Sequence, residues 1–447
     1  MQYQVSSNIN TNKVFVVQRS ELLGRIDVQY YQEHFDFSNS TQLSKHVTIQ
    51  GGKRIPKGEG YSFEMTPYLY LRVADIDDNS SVDFSKLNCI NEKVYRILER
   101  YEIHENEIAI SIAGTIGKVF FVQGIPFGER IILTENCAKL VVRQDNLLPE
   151  YLSIVLRTSV LQKQMMLNYI QTTIPKIGLD RIGKLMIPNI PDKEQQQQII
   201  NIYNSAAREK KDKEGQALKL LESIDDYLLG ELGIKLPETK SQTLRNRIFT
   251  INICEVCDGR MDPKSVLYFG EHAKSETYEN VQLKQIATIA KGDSITSDQV
   301  NKSGQYPVIA GGQTSPYNHD QYNYMGNVIT VSASGAYSGY VWYHDDPIFA
   351  SDCSIIYSKD SQFLTKYIFE VLKAQQSHIY LLQQGAGQPH VYPDDLAKLW
   401  IPIVPSKKQQ EIVAHISQMR KQAKQLQAEG TEILQKAKME VEKMILG

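Results

Sequence analysis

Three cations stand on a short Gly/Pro-rich run, Gly51-Gly52-Lys53-Arg54-Ile55-Pro56-Lys57-Gly58. Lys53, Arg54 and Lys57, carried on such a loop, suit the oxygens of backbone phosphates. A solvated turn has an equal claim on them. A second run, Gln313-Thr314-Ser315-Pro316-Tyr317-Asn318-His319, is dense in groups that can pair with base edges, through Gln313, Thr314, Tyr317, Asn318 and His319. Gln171-Thr172-Thr173 offers the same chemistry just before a proline, with Thr172 and Thr173 as its candidates. For any single one of these residues a plain loop role is the commoner one.

Catalytic chemistry is harder to place. A methyltransferase would need a Gly-rich cofactor loop after a strand and an Asn/Asp-Pro-Pro-aromatic motif. Asp345-Asp346-Pro347-Ile348-Phe349 comes nearest and lacks the second proline, while Gly385-Ala386-Gly387 follows a helical run rather than a strand. A metal-dependent nuclease would need Pro-Asp and Glu-x-Lys around an ion. Pro191-Asp192 and Glu238-Thr239-Lys240 match on paper, but Asp192 already serves as a helix cap. Cys254 and Cys257 make half a zinc site, and no second pair stands at ligand spacing. The expectation is a chain that is not an enzyme, with no catalytic, cofactor or metal residues of its own.

Composition bounds the rest. The 447 residues suffice for two or three domains, and 42% hydrophobic with 22% charged residues allow real cores. A net charge of −2 gives no global basic signal, so any face that meets nucleic acid must be a local patch. The 25 Tyr against 13 Phe and 2 Trp suit half-buried packing first and ligand-facing surfaces second. Five Cys without a secretory signal read as reduced thiols in a cytoplasmic protein, and no apolar run is long enough for a membrane span.

The elements that must position these groups come in two copies. Gly24-Arg25-Ile26-Asp27 is answered by Gly259-Arg260-Met261-Asp262, and Leu43, Ile49 and Gly52 by Leu283, Ile289 and Gly292. Ser111-Ile112-Ala113-Gly114 is answered by Ser332-Ala333-Ser334-Gly335, and Asn136-Cys137 by Asp352-Cys353. At a constant offset of 214, ten of the 22 positions from Pro175 to Gln196 are identical in the second copy, Pro389 to Gln410. A fixed internal period is a stronger guide to architecture than any single motif.

Each copy is β-rich, with runs such as Ile108-Ala109-Ile110-Ser111 and Val328-Ile329-Thr330-Val331 cut by Gly, Pro and Asn. A long helix follows, opened by a capping-box pattern, Asp192…Gln195 and Ser406…Gln409. Ile199, Tyr203, Ala206, Lys210, Lys213, Ala217, Leu220, Ile224 and Tyr227 alternate in steps of four and three. So do Ile412, Ile416, Met419, Ala423, Leu426, Gly430, Ile433, Ala437, Glu440 and Met444. Such narrow stripes predict that the two helices pair. The expected register is antiparallel, with Ile199 facing Met444, Ala206 facing Ala437, Lys213 facing Gly430 and Ile224 facing Met419.

At this point the chain resembles the specificity subunits of Type I restriction–modification systems, over nearly its whole length. The resemblance rests on Leu-x-Ile-Pro-x-x-Pro-x-x-x-Gln-Gln before each helix, at 185–196 and 399–410, and on Gly-Arg-Ile-Asp-Val-Gln-Tyr-Tyr at 24–31. It implies an α+β fold: a tandem pseudo-repeat of two β-rich target-recognition domains, each followed by a long helix, with the helices pairing as an antiparallel coiled coil. The expected divisions are an N-terminal segment 1–42, a first recognition domain 43–191 and a first spacer helix 192–235. A linker and opening segment at 236–281, a second recognition domain 282–405 and a second spacer helix 406–447 complete it. The resemblance also implies partners: double-stranded DNA with a split, asymmetric site, two methyltransferase subunits carrying S-adenosylmethionine, and endonuclease/translocase subunits using ATP and Mg2+. A similar subunit serving one fused nuclease–methyltransferase chain is the alternative. A coiled-coil adaptor that meets no DNA is a third reading, disfavoured by the size of the β-rich units.

Overall fold

A computed structural model describes residues 38–77, 79–168, 175–236, 273–296, 299–301, 303–385 and 387–446, with isolated positions 16, 17, 19, 243, 248 and 250. The motifs at 24–31 and 259–262, Thr172, Thr173, Cys254, Cys257 and Glu238-Thr239-Lys240 lie outside the described residues. The chain divides into two units, Met1–Asp212 with Ala428–Gly447, and Lys213–Gln427.

In the first unit the strands are β1 (Ser40–Gln42), β2 (Val47–Gly51), β3 (Tyr68–Leu71), β4 (Asn88–Cys89), β5 (Glu102–Ile103), β6 (Ile108–Ser111), β7 (Val119–Phe121), β8 (Arg130–Leu133), β9 (Cys137–Val142) and β10 (Met186–Pro188). Helices α1 (Glu92–Leu98), α2 (Pro149–Val155), α3 (Ser159–Asn168) and α4 (Leu179–Gly183) lie between them. An antiparallel sheet runs β2-β9-β6-β7, a mixed sheet runs β4-β3-β8-β5, and β1 pairs with β10. The run Ile108-Ala109-Ile110-Ser111 is buried on both faces, which is why it reads as continuous rather than alternating. Ile108 and Ile110 enter a core shared with α2 and α3, while Ala109 faces a core shared with the second sheet.

The second unit repeats this plan. Its strands are β11 (Asn280–Gln282), β12 (Ala287–Lys291), β13 (Tyr306–Ile309), β14 (Asn318–His319), β15 (Val328–Ser332), β16 (Val341–His344), β17 (Phe349–Ala350), β18 (Cys353–Ser358) and β19 (Trp400–Pro402). The antiparallel sheet β12-β18-β15-β16 answers β2-β9-β6-β7, and the pair β11-β19 answers β1-β10. Among the described residues a parallel pairing also recurs in each unit, β3 with β8 and β13 with β17.

Two long helices complete the chain: α5 (Lys193–Leu232) and, after the short α6 (Leu283–Ile286), α7 (Thr365–Ala374), α8 (Gln376–Ile379) and α9 (Pro393–Leu396), the C-terminal α10 (Ser406–Leu446). At 1.5 Å per residue each is about 60 Å long. They pair antiparallel within each unit. In the first, Ile199, Tyr203 and Ala206 share a core with Leu434, Ala437, Val441 and Ile445. In the second, Ile224 and Leu228 share one with Ile412, Ile416 and Met419. There Glu231 near the end of α5 meets Lys408 at the start of α10, and Tyr227 packs on His415 with ring centroids 4.4 Å apart.

The register corrects the expected one by three residues. Gly430 sits against Lys210, not Lys213: a Cβ at 430 would lie 3.2 Å from the Lys210 Cα. Met444, expected to face Ile199, is exposed, while Val441 and Ile445 are buried. An α-helix turns every 3.6 residues, so a stripe drawn at 3.5 drifts off the contact line by about 20° per heptad. Over forty residues that drift exchanges Glu440 and Met444 for Val441 and Ile445, and Tyr227 for Leu228.

The second capping box is also corrected. Asp192 caps α5 as expected, its Oδ1 accepting from the Gln195 N–H at 2.9 Å. Ser406, however, is already the first helical residue of α10. Gln409 does not reach back to it but is fully buried. Its amide donates to the carbonyls of Gln362 and Val404 and its oxygen accepts from the Leu364 N–H. Gln196 does the same in the first unit, with Asn146, Pro191 and Leu148. The structural partner of Gln409 is therefore Gln196, one residue away from the partner that ungapped identity assigns.

Candidate nucleic-acid interface

The repeat motifs converge on one place in each unit. Gly52 N–H donates to the Cys137 carbonyl and Gly292 N–H to the Cys353 carbonyl, at 2.9 and 3.0 Å. Only glycine fits there, because a Cβ on Gly52 would meet the Thr134 carbonyl oxygen at 2.1 Å, and one on Gly292 the Ser351 carbonyl oxygen at 1.9 Å. Ile112 N–H donates to the Asn136 carbonyl and Ala333 N–H to that of Asp352. Gly114 and Gly335, both at positive φ, donate to the carbonyls of Pro175 and Pro389. The same backbone frame is built twice.

In both units this frame floors a groove at the ends of the strands. In the first it has a volume of about 550 Å³ and is lined by Arg54, Tyr61, Tyr70, Arg72, Lys118 and Glu135 among others. In the second the volume is about 460 Å³ and the lining includes Lys291, Ser294, Asp352, His390 and Tyr392. A concave, partly apolar surface with a few convergent polar groups is the default ligand site of a fold.

The first groove is cationic and aromatic. Arg72 holds Asp75 through two nitrogens at 2.6 and 3.0 Å and lies 5.8 Å from the Tyr61 ring. The Tyr70 hydroxyl donates to the Lys53 carbonyl at 2.9 Å, and burial pushes its phenol up to about 12. Arg54 is 78% exposed in its side chain and reaches Glu135 through Nε at 2.5 Å. Burial alone would raise the Glu135 carboxyl, but hydrogen bonds from Arg54 and Thr134 outweigh it and hold it below its ordinary value. The second groove has a different chemistry. The Ser334 hydroxyl hydrogen-bonds Asp352, and the His390 and Tyr392 rings lie nearly parallel at 6.1 Å.

The candidates from sequence are placed as follows. Arg54 lines the first groove, with exposed Lys53 and Lys57 on the loop leading from it. Gln313 and Thr314 are exposed, and the Gln313 amide lies 3.4 Å from the Tyr380 hydroxyl. Tyr317 is 49% exposed. Asn318 and His319 form β14, where Asn318 exchanges backbone hydrogen bonds with Asn301. The His319 ring packs on Phe349 and accepts from the Gln321 N–H, so it holds a turn. Tyr61, Tyr70, Arg72, Glu135, His390 and Tyr392 were missed. They come from segments far apart in sequence, and the repeated letters pointed to the frame beneath them (Gly52 and Gly292, Asn136 and Asp352, Pro389 beside His390) but not to these side chains.

Each half of the chain is thus a β-rich module packed on half of a helix pair, with a groove of its own: one backbone frame built twice and lined by two chemistries, a tandem reader of two different ligand surfaces. The profile of the Type I restriction modification DNA specificity domain matches twice, at residues 47–220 and 275–435. The chain belongs to that family. A type I specificity subunit of Mycoplasma pneumoniae is 26% identical over 135 residues, 30% of this chain and 36% of that protein, so the match spans about a third of that relative. A solved structure described as the basis of complex assembly and conformational transition of the type I system aligns over 91% of this chain and 96% of its own. The identity is 14% and the TM-score 0.51. The Type I restriction–modification S subunit from M. genitalium aligns over 91% and 95%, at 14% identity and a TM-score of 0.46. No helix among the described residues is long and apolar enough to cross a membrane.

Proposed function

We propose that this chain is the DNA-reading, non-catalytic specificity subunit of a cytoplasmic Type I restriction–modification enzyme. The observation that carries the reading is the groove built twice from the same backbone hydrogen bonds and lined differently. Two like frames with unlike side chains read two unlike half-sites, and so an asymmetric, split DNA sequence. The recognition domains at 43–191 and 282–405 do the reading, and the helix pair sets the length of the unread gap. Lys53 and Lys57 serve backbone phosphates, and Thr172, Thr173, Gln313, Thr314, Tyr317, Asn318 and His319 are the further candidates for contact with DNA. Adenine methylation comes from two methyltransferase subunits that bring S-adenosylmethionine. Cleavage comes from translocating endonuclease subunits that use ATP and Mg2+.

The test is methyl transfer from labelled S-adenosylmethionine to DNA, measured with the full chain alone and with the methyltransferase of its own gene cluster. Transfer is expected only with both present, and at one bipartite sequence. Transfer by the lone chain would overturn the reading.

A further inference from the structure

The two grooves differ by one inserted residue. Thr134 and Ser351 are equivalent, since each N–H donates to the strand of the parallel pair (Leu71 and Ile309) and each carbonyl faces the repeated glycine. Asn136 and Asp352 are equivalent through Ile112 and Ala333. Between them the first unit carries one residue that the second lacks, and that residue is Glu135. Its partner Arg54, two residues beyond Gly52, stands where the second unit has Ser294, two residues beyond Gly292. The ion pair therefore belongs to the first groove alone.

Its geometry is specific. Glu135 is anchored by the Thr134 hydroxyl at 3.1 Å and takes Arg54 by Nε. Among the described residues no protein group holds the two terminal nitrogens of Arg54. Arg72, the other guanidinium of the groove, already spends its Nε and one terminal nitrogen on Asp75. A guanidinium held by Nε presents its outer edge as a two-pronged donor, the shape that matches O6 and N7 of guanine in the major groove. The same fork also fits a phosphate, but a phosphate contact carries no sequence information, so the two roles separate by whether preference at a single base pair is lost.

Resting on the reading of the chain as a DNA specificity subunit, we propose that Arg54 reads a guanine in the half-site of the first unit, and that Glu135 is the positioning residue that fixes its fork. The absence of the pair from the second groove is part of what makes the half-sites differ.

The test uses the full chain with its methyltransferase, reading the methylated motif by single-molecule sequencing of DNA, for the unmodified chain, Arg54→Ala, Arg54→Lys and Glu135→Gln. Both side chains can change without a folding penalty of note, since Arg54 is largely exposed and glutamine is nearly isosteric with Glu135. Arg54→Ala and Arg54→Lys are expected to relax preference for one G·C pair in one half-site by about tenfold or more, with the other half unchanged. Glu135→Gln is expected to relax the same pair less.

A uniform loss of methylation over all sequences, restored by lysine, would make Arg54 a phosphate contact and overturn the proposal, as would an unchanged motif. Failure of the specificity-subunit reading is separate, because the unmodified chain would then direct no motif at all.

Discussion

A single buried glutamine joins each recognition module to its helix. Gln409 is fully buried and satisfies one backbone N–H and two carbonyls, of Leu364, Gln362 and Val404, in two separate segments. Gln409→Ala should strip all three and cost on the order of 3 kcal/mol. Gln410→Ala, on the exposed side of the same turn, should stay within about 0.5 kcal/mol. Urea denaturation followed by tryptophan fluorescence can decide it, since both tryptophans, Trp342 and Trp400, lie in the second unit. Equal effects would show that the one-residue offset between the repeats is misassigned. Sequence identity alone favoured the wrong glutamine because the doublets Gln195-Gln196 and Gln409-Gln410, with Lys193 and Lys407, score best without a gap, and only burial reveals the slip of one. A second residue-scale effect concerns pH. His344 is buried with its Nε2 2.8 Å from the Thr330 hydroxyl, and burial lowers it to about 4. The unfolded chain, with an ordinary value near 6.5, binds that proton first as pH falls. The stability of the second unit should therefore be full above about pH 6.5 and decline towards pH 4, by on the order of 3 kcal/mol. His344→Gln should flatten that slope.

The long helices show where pattern reading succeeds and where it stops. Their existence, length and antiparallel pairing were legible in the stripes of Ile199 to Tyr227 and Ile412 to Met444. Their register was not, because period 3.5 and period 3.6 are indistinguishable over two turns and separate only over many. Gly430 fixes the register now. It is buried, and an added Cβ would lie 3.2–3.3 Å from Lys210 backbone atoms that cannot swing aside. Gly215 and Gly230 have nothing within 4 Å of an added Cβ. Replacing either of these two by alanine should stabilise by about 1 kcal/mol, the ordinary helix-propensity gain. Gly430→Ala should lose that gain to the close contact and come out neutral or destabilising. Chemical denaturation of the three single variants checks the contrast, and equal stabilisation by all three would refute the observed register.

At the scale of the molecule, the repeat was legible where backbone geometry demands particular residues. Gly52 and Gly292 allow a carbonyl to approach, Gly114 and Gly335 hold positive φ, and both copies kept them. The groove walls were illegible for the opposite reason. No backbone constraint fixes Arg54, Glu135 or Tyr392, so the copies are free to differ there, and Glu135 is an insertion that breaks the alignment at the point of interest. Modules that share a frame and differ in their walls should be exchangeable one at a time. Replacing residues 283–388 with the matching segment of a relative keeps Gln409, β19 and α10, so the exchanged module meets the same helix as before. The methylated motif should then change in one half and remain intact in the other, with its gap unchanged. Single-molecule sequencing of methylated DNA from cells carrying the chimera and its methyltransferase reads both halves at once. A change in both halves would mean that the modules do not read independently, and the two-reader scheme would fail even though the fold repeats.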